Sequence, residues 1–326
     1  MLIYSRGDKM IVKPYAQTLY MEALISLNKR LKKNHPKYLT LREDLNRNIA
    51  GDIGEEAVMS FLQKVKLPYK FFAFHNISLF GESLFQMDIL IITQYYAVIF
   101  EVKNIQGEIE FKSHPYQLSR TLSNGVRNSF DSPEIQLQEY IYQLNVIFKA
   151  GGFSIPIYGA VVFPFSSSYI KTPPSETTVL FRNEIKSYLR KLKTHDSPLS
   201  LEVLDSLQKF ILNKTTNYKP FPLIKHFAIH PDDITNGVEC NACNFIGMRK
   251  IPRHWICPRC KNICDNSHTQ TLKEYFLIYK DSISNTECRQ FLNLNNMYEA
   301  NRILKNANLI KTGKYKDAKY KMEFIK

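Results

Sequence analysis

Residues 84–104 read LFQMDILIITQYYAVIFEVKN. Two runs in this stretch, Ile89–Ile92 and Ala97–Phe100, are apolar without alternation, as in strands covered on both faces. Asp88 precedes the first run, and Glu101 and Lys103 follow the second. Side chains alternate along a strand, so Glu101 and Lys103 point to one face, and a hairpin brings Asp88 beside Glu101. Two carboxylates and an ammonium at one sheet end suit Mg²⁺ or Mn²⁺, with a cation near an attacking water. Charges at the margin of a buried strand need a partner or a metal. The competing reading is a structural Glu–Lys pair at a strand end.

Working outward, Phe71–Ser78 is another β-rich run. Before it, Asn48–Val65 carries apolar residues at helical spacing and is closed by Pro68, with Gly54-Glu55-Glu56 near its start. After it, Pro133–Phe148 reads as a helix and Ile157–Phe163 as a buried strand. Thr177–Phe181 is a short strand, Asn183–Lys193 and Leu199–Leu212 are helices, and Ser166–Pro174 reads as a surface loop. The order α-β-β-β-α-β implies an α/β sandwich over Leu39–Leu212. Gln86 lies two residues before Asp88, and Gln136 and Tyr140 stand four apart on one helix face. The bland readings are favourable charge near a helix N-terminus for Glu55 or Glu56, and an ordinary helix surface for Gln136 and Tyr140.

Taken in order, G51DIGEEAVMSFL, FQMDILIITQYYAVIFEVKNIQGEI and PEIQLQEY resemble the NERD (nuclease-related) domain. That domain belongs to the PD-(D/E)xK nucleases, so the resemblance implies a restriction-endonuclease-like α/β core and covers Arg47–Phe163. It implies that Glu55 is the helix glutamate, Asp88 the metal-binding aspartate, and Glu101 and Lys103 the ExK pair. Asn104 and Gly107 follow as that pattern expects. Gln136 is implied as the family glutamine, and with Tyr140 it is similar to the Q-x3-Y motif of RecB-like exonucleases. Met87 replaces the proline of the superfamily name without removing a ligand.

Cys240-x2-Cys243 and Cys257-x2-Cys260, separated by 13 residues, supply four thiolates for a structural Zn²⁺ in a ribbon. So short a module folds on its metal. Cys264 and His254 are competing ligands, and Cys288 reads as a small helix residue. Trp255, among Arg249, Lys250, Arg253, Arg259 and Lys261, either stacks on bases or packs the ribbon onto its neighbour. Farther on, Leu272–Lys280, Asn285–Leu292 and Asn296–Asn306 read as helices, and Leu309–Phe324 as a turn at Gly313 with an extended tail. That layout is winged-helix-like. Arg302 and Lys305 are candidate contacts, and Lys311, Lys314, Lys316, Lys319 and Lys321 with Tyr315 form a basic wing. A protein-docking module is the other reading.

The 326 residues predict two or three domains: a basic helical segment (1–46), the nuclease-like domain (47–215), a linker (216–239), the ribbon (240–264) and the winged-helix-like tail (269–326). Within the first segment, residues 16–33 show helical apolar spacing with a basic far side. The net charge of +14 divides as +6 over residues 1–50, −1 over 51–239 and +9 over 240–326, so the ends attract phosphate backbones. No run of 18 apolar residues occurs and the charged N-terminus lacks a leader's apolar region, so a cytoplasmic protein without membrane contact is expected. These readings converge on a divalent-metal-dependent nuclease acting on nucleic acid, DNA above all, whose C-terminal modules grip substrate, a protein partner or a second copy. The alternative is a non-catalytic nucleic-acid-binding or assembly protein that keeps the nuclease fold as a scaffold.

Overall fold

The computed structural model describes residues 9–192, 197–216, 221–314 and 317–324. Lys193, Tyr315 and Lys316, named above, lie outside these residues. The chain divides into two compact units: Met1–Ala16 with Asn48–Asn217, and Gln17–Arg47 with Tyr218–Lys326.

In chain order come β1 (Lys9–Lys13), α1 (Leu19–Arg30) and α2 (Tyr38–Leu62); α1 belongs to the second unit, and the division falls within α2. The apolar runs form β2 (Phe71–Phe80), β3 (Leu84–Thr93) and β4 (Ala97–Val102). Three shorter strands follow, β5 (Gly107–Ser113), β6 (Tyr116–Thr121) and β7 (Arg127–Asp131). Then come α3 (Pro133–Ala150), β8 (Ile157–Phe163), β9 (Ser168–Thr172), β10 (Thr178–Phe181), α4 (Ile185–Lys191) and α5 (Leu201–Lys214). Ser132 caps α3 by accepting from the Glu134 N–H, and Pro133 fits the first turn, where no N–H is required.

The main sheet has the order β1-β2-β3-β4-β8-β10. Strands β2, β3 and β4 are antiparallel, and β8 joins β4 in parallel after the α3 crossover. The core is therefore the expected αβββαβ arrangement, extended at its edges by β1 and β10. One face packs Ile89, Ile91, Val98 and Phe100 against Val58, Met59 and Leu62 of α2. The other packs Leu90, Ile92, Ala97 and Ile99 against Leu137 and Leu144 of α3 and Leu204 and Leu207 of α5. Burial on both faces explains the unbroken apolar runs. Strict alternation breaks once. Phe74 and Ile77 on β2, and Met87 and Leu90 on β3, are three residues apart yet share one cluster. Both strands switch faces around Asn76 and Asp88, and Asn76 takes a left-handed φ of 52°.

A second sheet, β7-β6-β5-β9, was not legible in the sequence. Ser166–Pro174 is not simply a surface loop. Its Ser168–Thr172 portion pairs in parallel with β5, and the Ser168 hydroxyl donates to the Ile105 carbonyl. The pairing gives the β5 edge a partner and outweighs the turn-forming composition.

The second unit continues with a short helix, α6 (Leu223–His226), then β11 (Val238–Glu239), β12 (Ile246–Lys250), β13 (Trp255–Ile256) and β14 (Ile263–Cys264), an antiparallel ribbon. After it come α7 (Ser267–Ile278), β15 (Ser282–Ser284), α8 (Asn285–Leu292), α9 (Met297–Asn306), β16 (Ile310–Thr312) and β17 (Lys319–Lys321). The three strands pair in the order β15-β17-β16, completing a winged-helix-like topology. Ser284 and Glu287 form a reciprocal capping box on α8, and Asn293 closes it at φ 54°. Helix α1 packs into this unit, with Leu24 and Leu27 against Leu223, Ile224, Leu277 and Ile278. Its Arg30 is fully buried. Nε donates to Glu274 at 2.6 Å, and Nη1 donates to the carbonyls of Thr235 at 2.9 Å and Gly237 at 3.1 Å. A buried guanidinium needs such partners, so this residue fastens the N-terminal helix in place.

Candidate active site

Strand β3 carries Asp88 at the face switch, and the neighbouring β4 carries Glu101 near its end. The Val102 backbone N–H donates to Asp88 Oδ2 at 2.8 Å. Lys103 Nζ donates to Glu101 Oε1 at 2.7 Å and to Gln136 Oε1 at 3.3 Å. Gln136 Nε2 in turn donates to Tyr140 Oη at 2.9 Å, so α3 delivers both polar residues to the strand end. Helix α2 delivers Glu55, while Glu56 faces solvent. A Cβ at Gly54 would stand 2.9 Å from Asn104 Cβ and 3.3 Å from Val102 Cγ1, so only glycine permits this close approach. Asn104 Nδ2 fastens the helix by donating to the Ala50 carbonyl at 2.8 Å.

Glu55, Asp88, Glu101, Lys103 and Gln136 thus converge on one edge of the sheet. Glu55, Asp88 and Glu101 do not form a three-carboxylate cage, however. Among the described residues, the one group of three or more His, Cys, Asp or Glu with ligand atoms within 4.8 Å of one another is a cysteine quartet. Glu55 is engaged instead with His75, at 2.8 Å from Nε2.

The electrostatics show a site crowded with negative charge. Burial, then the charges of Glu101 and Glu55, push the Asp88 carboxyl well above the usual carboxylate range. Burial, then Asp52 and Glu101, push Glu55 up to about 8 against the opposing pull of Lys103. Burial also depresses His75 to about 4, helped by the Lys13 charge. Both shifts favour the uncharged forms of Glu55 and His75, which face each other at 2.8 Å. Burial works to lower the Lys103 pKa, but Glu101 and Asp88 outweigh it and hold the ammonium charged. Glu101 Oε2 is buried and has no hydrogen-bond partner. A stranded carboxylate oxygen beside a second carboxylate fits a hard divalent cation.

Four contributors escaped the sequence reading: Lys13, Tyr15, Asp52 and His75. The Tyr15 hydroxyl donates to Asp52, the Tyr15 and His75 rings lie 5.1 Å apart, and Lys13 donates to the Asn76 carbonyl. Asp52 lies three residues before Glu55, one helical turn away, which is the one signal that pointed to it. Beside Lys103 and Gln136 opens a cleft of about 520 Å³, lined also by Tyr116, Gln117, Ser129, Phe130 and Asp131.

The nuclease-related domain (NERD) family matches residues 50–164. Residues 50–164 form a NERD domain. This segment holds Glu55, Asp88, Glu101, Lys103 and Gln136, and its β5–β7 insertion supplies the cleft. A nuclease-related domain fits interaction with nucleic acid. No curated protein and no solved structure matches the chain significantly. No helix among the described residues is long and apolar enough to cross a membrane.

The second unit holds the cysteine quartet. Cys240 Sγ lies 3.6 Å from Cys260 Sγ, and Cys243 Sγ lies 3.6 Å from Cys257 Sγ. Four thiolates at ~2.3 Å from a tetrahedral zinc stand ~3.8 Å apart, so the quartet is compatible with a structural zinc. The two knuckles match each other. Asn244 N–H donates to the Cys240 carbonyl and Lys261 N–H to the Cys257 carbonyl, with Asn244 at φ 57° and Lys261 at φ 61°. His254 turns to Asp265, and Cys264 bonds to Asn266 at 3.2 Å, so neither joins the quartet. Cys288 is buried in α8, as a small helix residue should be. Trp255 is fully buried beside Cys240, Cys257 and Leu272, and Nε1 donates to His268 Nδ1 at 3.0 Å. The indole packs the ribbon and is closed to base stacking. Arg249, Arg253, Arg259 and Lys261 are exposed, as are Arg302, Lys305, Lys311, Lys314, Lys319 and Lys321.

Proposed function

We propose that the NERD domain is a divalent-metal-dependent nuclease that hydrolyses phosphodiester bonds in DNA. The observation that supports this reading best is Glu101 Oε2, buried without a partner beside the charge-crowded Asp88 and next to a charged lysine. Asp88 and Glu101 would hold Mg²⁺ or Mn²⁺, which when bound supplies Lewis-acid polarisation and a more acidic water. Lys103 stays protonated, and its contacts with Glu101 and Gln136 aim its charge at the point where negative charge develops. Gln136, steadied by Tyr140, positions water or substrate. Glu55, paired with His75, completes the acidic edge. In this reading Cys240, Cys243, Cys257 and Cys260 bind a structural Zn²⁺, and the winged-helix-like unit supplies a basic grip on the polyanion.

The test is Mg²⁺- or Mn²⁺-dependent digestion of single-stranded, duplex and branched DNA, with Glu101→Ala as the control. Metal-dependent cleavage lost in the variant supports the assignment. Nucleic-acid binding with no cleavage of any substrate points to a scaffold instead.

A further inference from the structure

The cleft beside Lys103 and Gln136 has a composition that identifies what enters it. Its volume is about 520 Å³ and it is open to solvent. Among the described residues, Lys103 is the one basic residue in its lining, and that ammonium is already held by Glu101 and Gln136. Asp131 lines the same space and repels a phosphate. The remaining groups offer a different chemistry. Gln117 and Asp131 are cross-strand neighbours in the β6–β7 pair. An amide and a carboxylate side by side are donor and acceptor partners for the edge of a base. Tyr116 is 40% exposed, with its ring held edge-on by His114 at 5.9 Å, and Phe130 forms another aromatic part of the wall.

We infer that this cleft receives one unpaired nucleobase next to the scissile phosphate, so that the substrate is a single strand or an unpaired end. The base stacks on Tyr116 and presents its edge to Gln117 and Asp131, while its phosphate remains outside at Lys103. A base within a duplex has its faces stacked and its Watson–Crick edge occupied, so it must leave the helix to enter. The β5–β7 insertion thus selects the strand state, and the main sheet carries the chemistry. The inference rests on the nuclease reading for the meaning of the site, but it is testable by binding alone.

The experiment uses the full chain with no added Mg²⁺ or Mn²⁺, where no cleavage intervenes. Fluorescence anisotropy measures affinity for a fluorescein-labelled single strand and for the same sequence as a duplex, at about 0.3 M salt to suppress backbone electrostatics. The single strand is expected to bind at least about tenfold tighter than the duplex. Tyr116→Ala should weaken single-strand binding by roughly 5- to 150-fold, the span of one lost base stack. Tyr116→Phe should keep the affinity, and neither variant should alter duplex binding. Single-strand affinity indifferent to Tyr116→Ala, equal loss on the duplex, or equal affinity of the native chain for both would overturn the inference. Tyr116-dependent binding without Mg²⁺-dependent cleavage would retain the base cleft and remove the nuclease. Cleavage with no Tyr116 dependence would do the reverse.

Discussion

The Val102 backbone N–H donates to Asp88 Oδ2 at 2.8 Å, and Val102 lies between Glu101 and Lys103. This bond ties the two acidic strands together at the end that carries both carboxylates.

Removing either carboxylate charge should stop the chemistry without unfolding the protein. Asp88→Asn and Glu101→Gln are each expected to lower cleavage by about 10³-fold, since a metal's charge stabilisation is worth several kcal/mol. Without added divalent metal, Asp88→Asn should melt no lower than the native chain, because burial and the neighbouring carboxylates already disfavour the ionised Asp88. Steady-state cleavage assays and thermal melts check both statements. Full activity in both purified variants would remove the site assignment.

Lys103→Met keeps the length of the side chain and removes its charge. Cleavage should fall to near background, while divalent-ion binding, measured by calorimetry, survives. Loss of metal binding along with activity would reassign Lys103 to a structural role.

The raised Glu55 pKa has a defined consequence for stability. Its folded value of about 8 exceeds the ordinary 4.5, so the folded state binds more protons than the unfolded state between those values. The stabilisation contributed by Glu55 is full below about pH 4.5 and is lost as pH rises through 8. Without added divalent metal the melting temperature should fall by roughly 5 °C between pH 5 and 8.5. Glu55→Gln should flatten that decline, and so should Mg²⁺, because metal and protons compete for the same acidic edge. A flat profile in metal-free native protein would contradict the assigned shift.

The chain has one tryptophan, and it is buried against the cysteine knuckles. One zinc per chain is expected by metal analysis. A strong chelator should shift Trp255 emission to the red as the ribbon opens, and added Zn²⁺ should reverse it. Cys240→Ser or Cys257→Ser should shift the emission without chelator. Unchanged emission on complete zinc loss would place the metal elsewhere.

The unit formed by Gln17–Arg47 and Tyr218–Lys326 holds 25 Lys/Arg against 13 Asp/Glu. It should dominate non-specific duplex affinity, with log K falling about 0.9 per phosphate contact for each tenfold rise in salt. Replacing Lys311, Lys314, Lys319 and Lys321 by Gln should make that slope shallower in anisotropy titrations. An unchanged slope would favour protein docking for this unit.

The sheet was legible where burial was strongest. DILII and AVIFEVK have no polar residue inside their apolar runs, and only a strand covered on both faces needs that. Strands β5 to β7 read GEIEFKS, YQLSRT and RNSFD, half solvated and rich in charge, so periodicity could not separate them from loops. The cleft they form was missed with them. Asp88, Glu101, Lys103 and Gln136, which the structure brings to one sheet end, were nominated from strand and helix spacing together with the motif order that resembles the NERD domain. His75 and Tyr15 were not, because their approach to Glu55 depends on β2 and the segment after β1, far apart in the chain. Strand β15 was missed because three residues carry too little pattern.

The second unit is interrupted in sequence, and α1 waits on partners made much later. During synthesis the NERD segment is complete well before Glu274 leaves the ribosome to meet Arg30. Until then Leu24, Leu27 and a guanidinium destined for the interior remain uncovered. Translation therefore delivers the NERD-containing unit first, while the basic unit stays unfinished until Leu277 and Ile278 of α7 arrive. A prematurely terminated chain would be a weakly gripping fragment with a sticky helix near its front, a natural substrate for quality control.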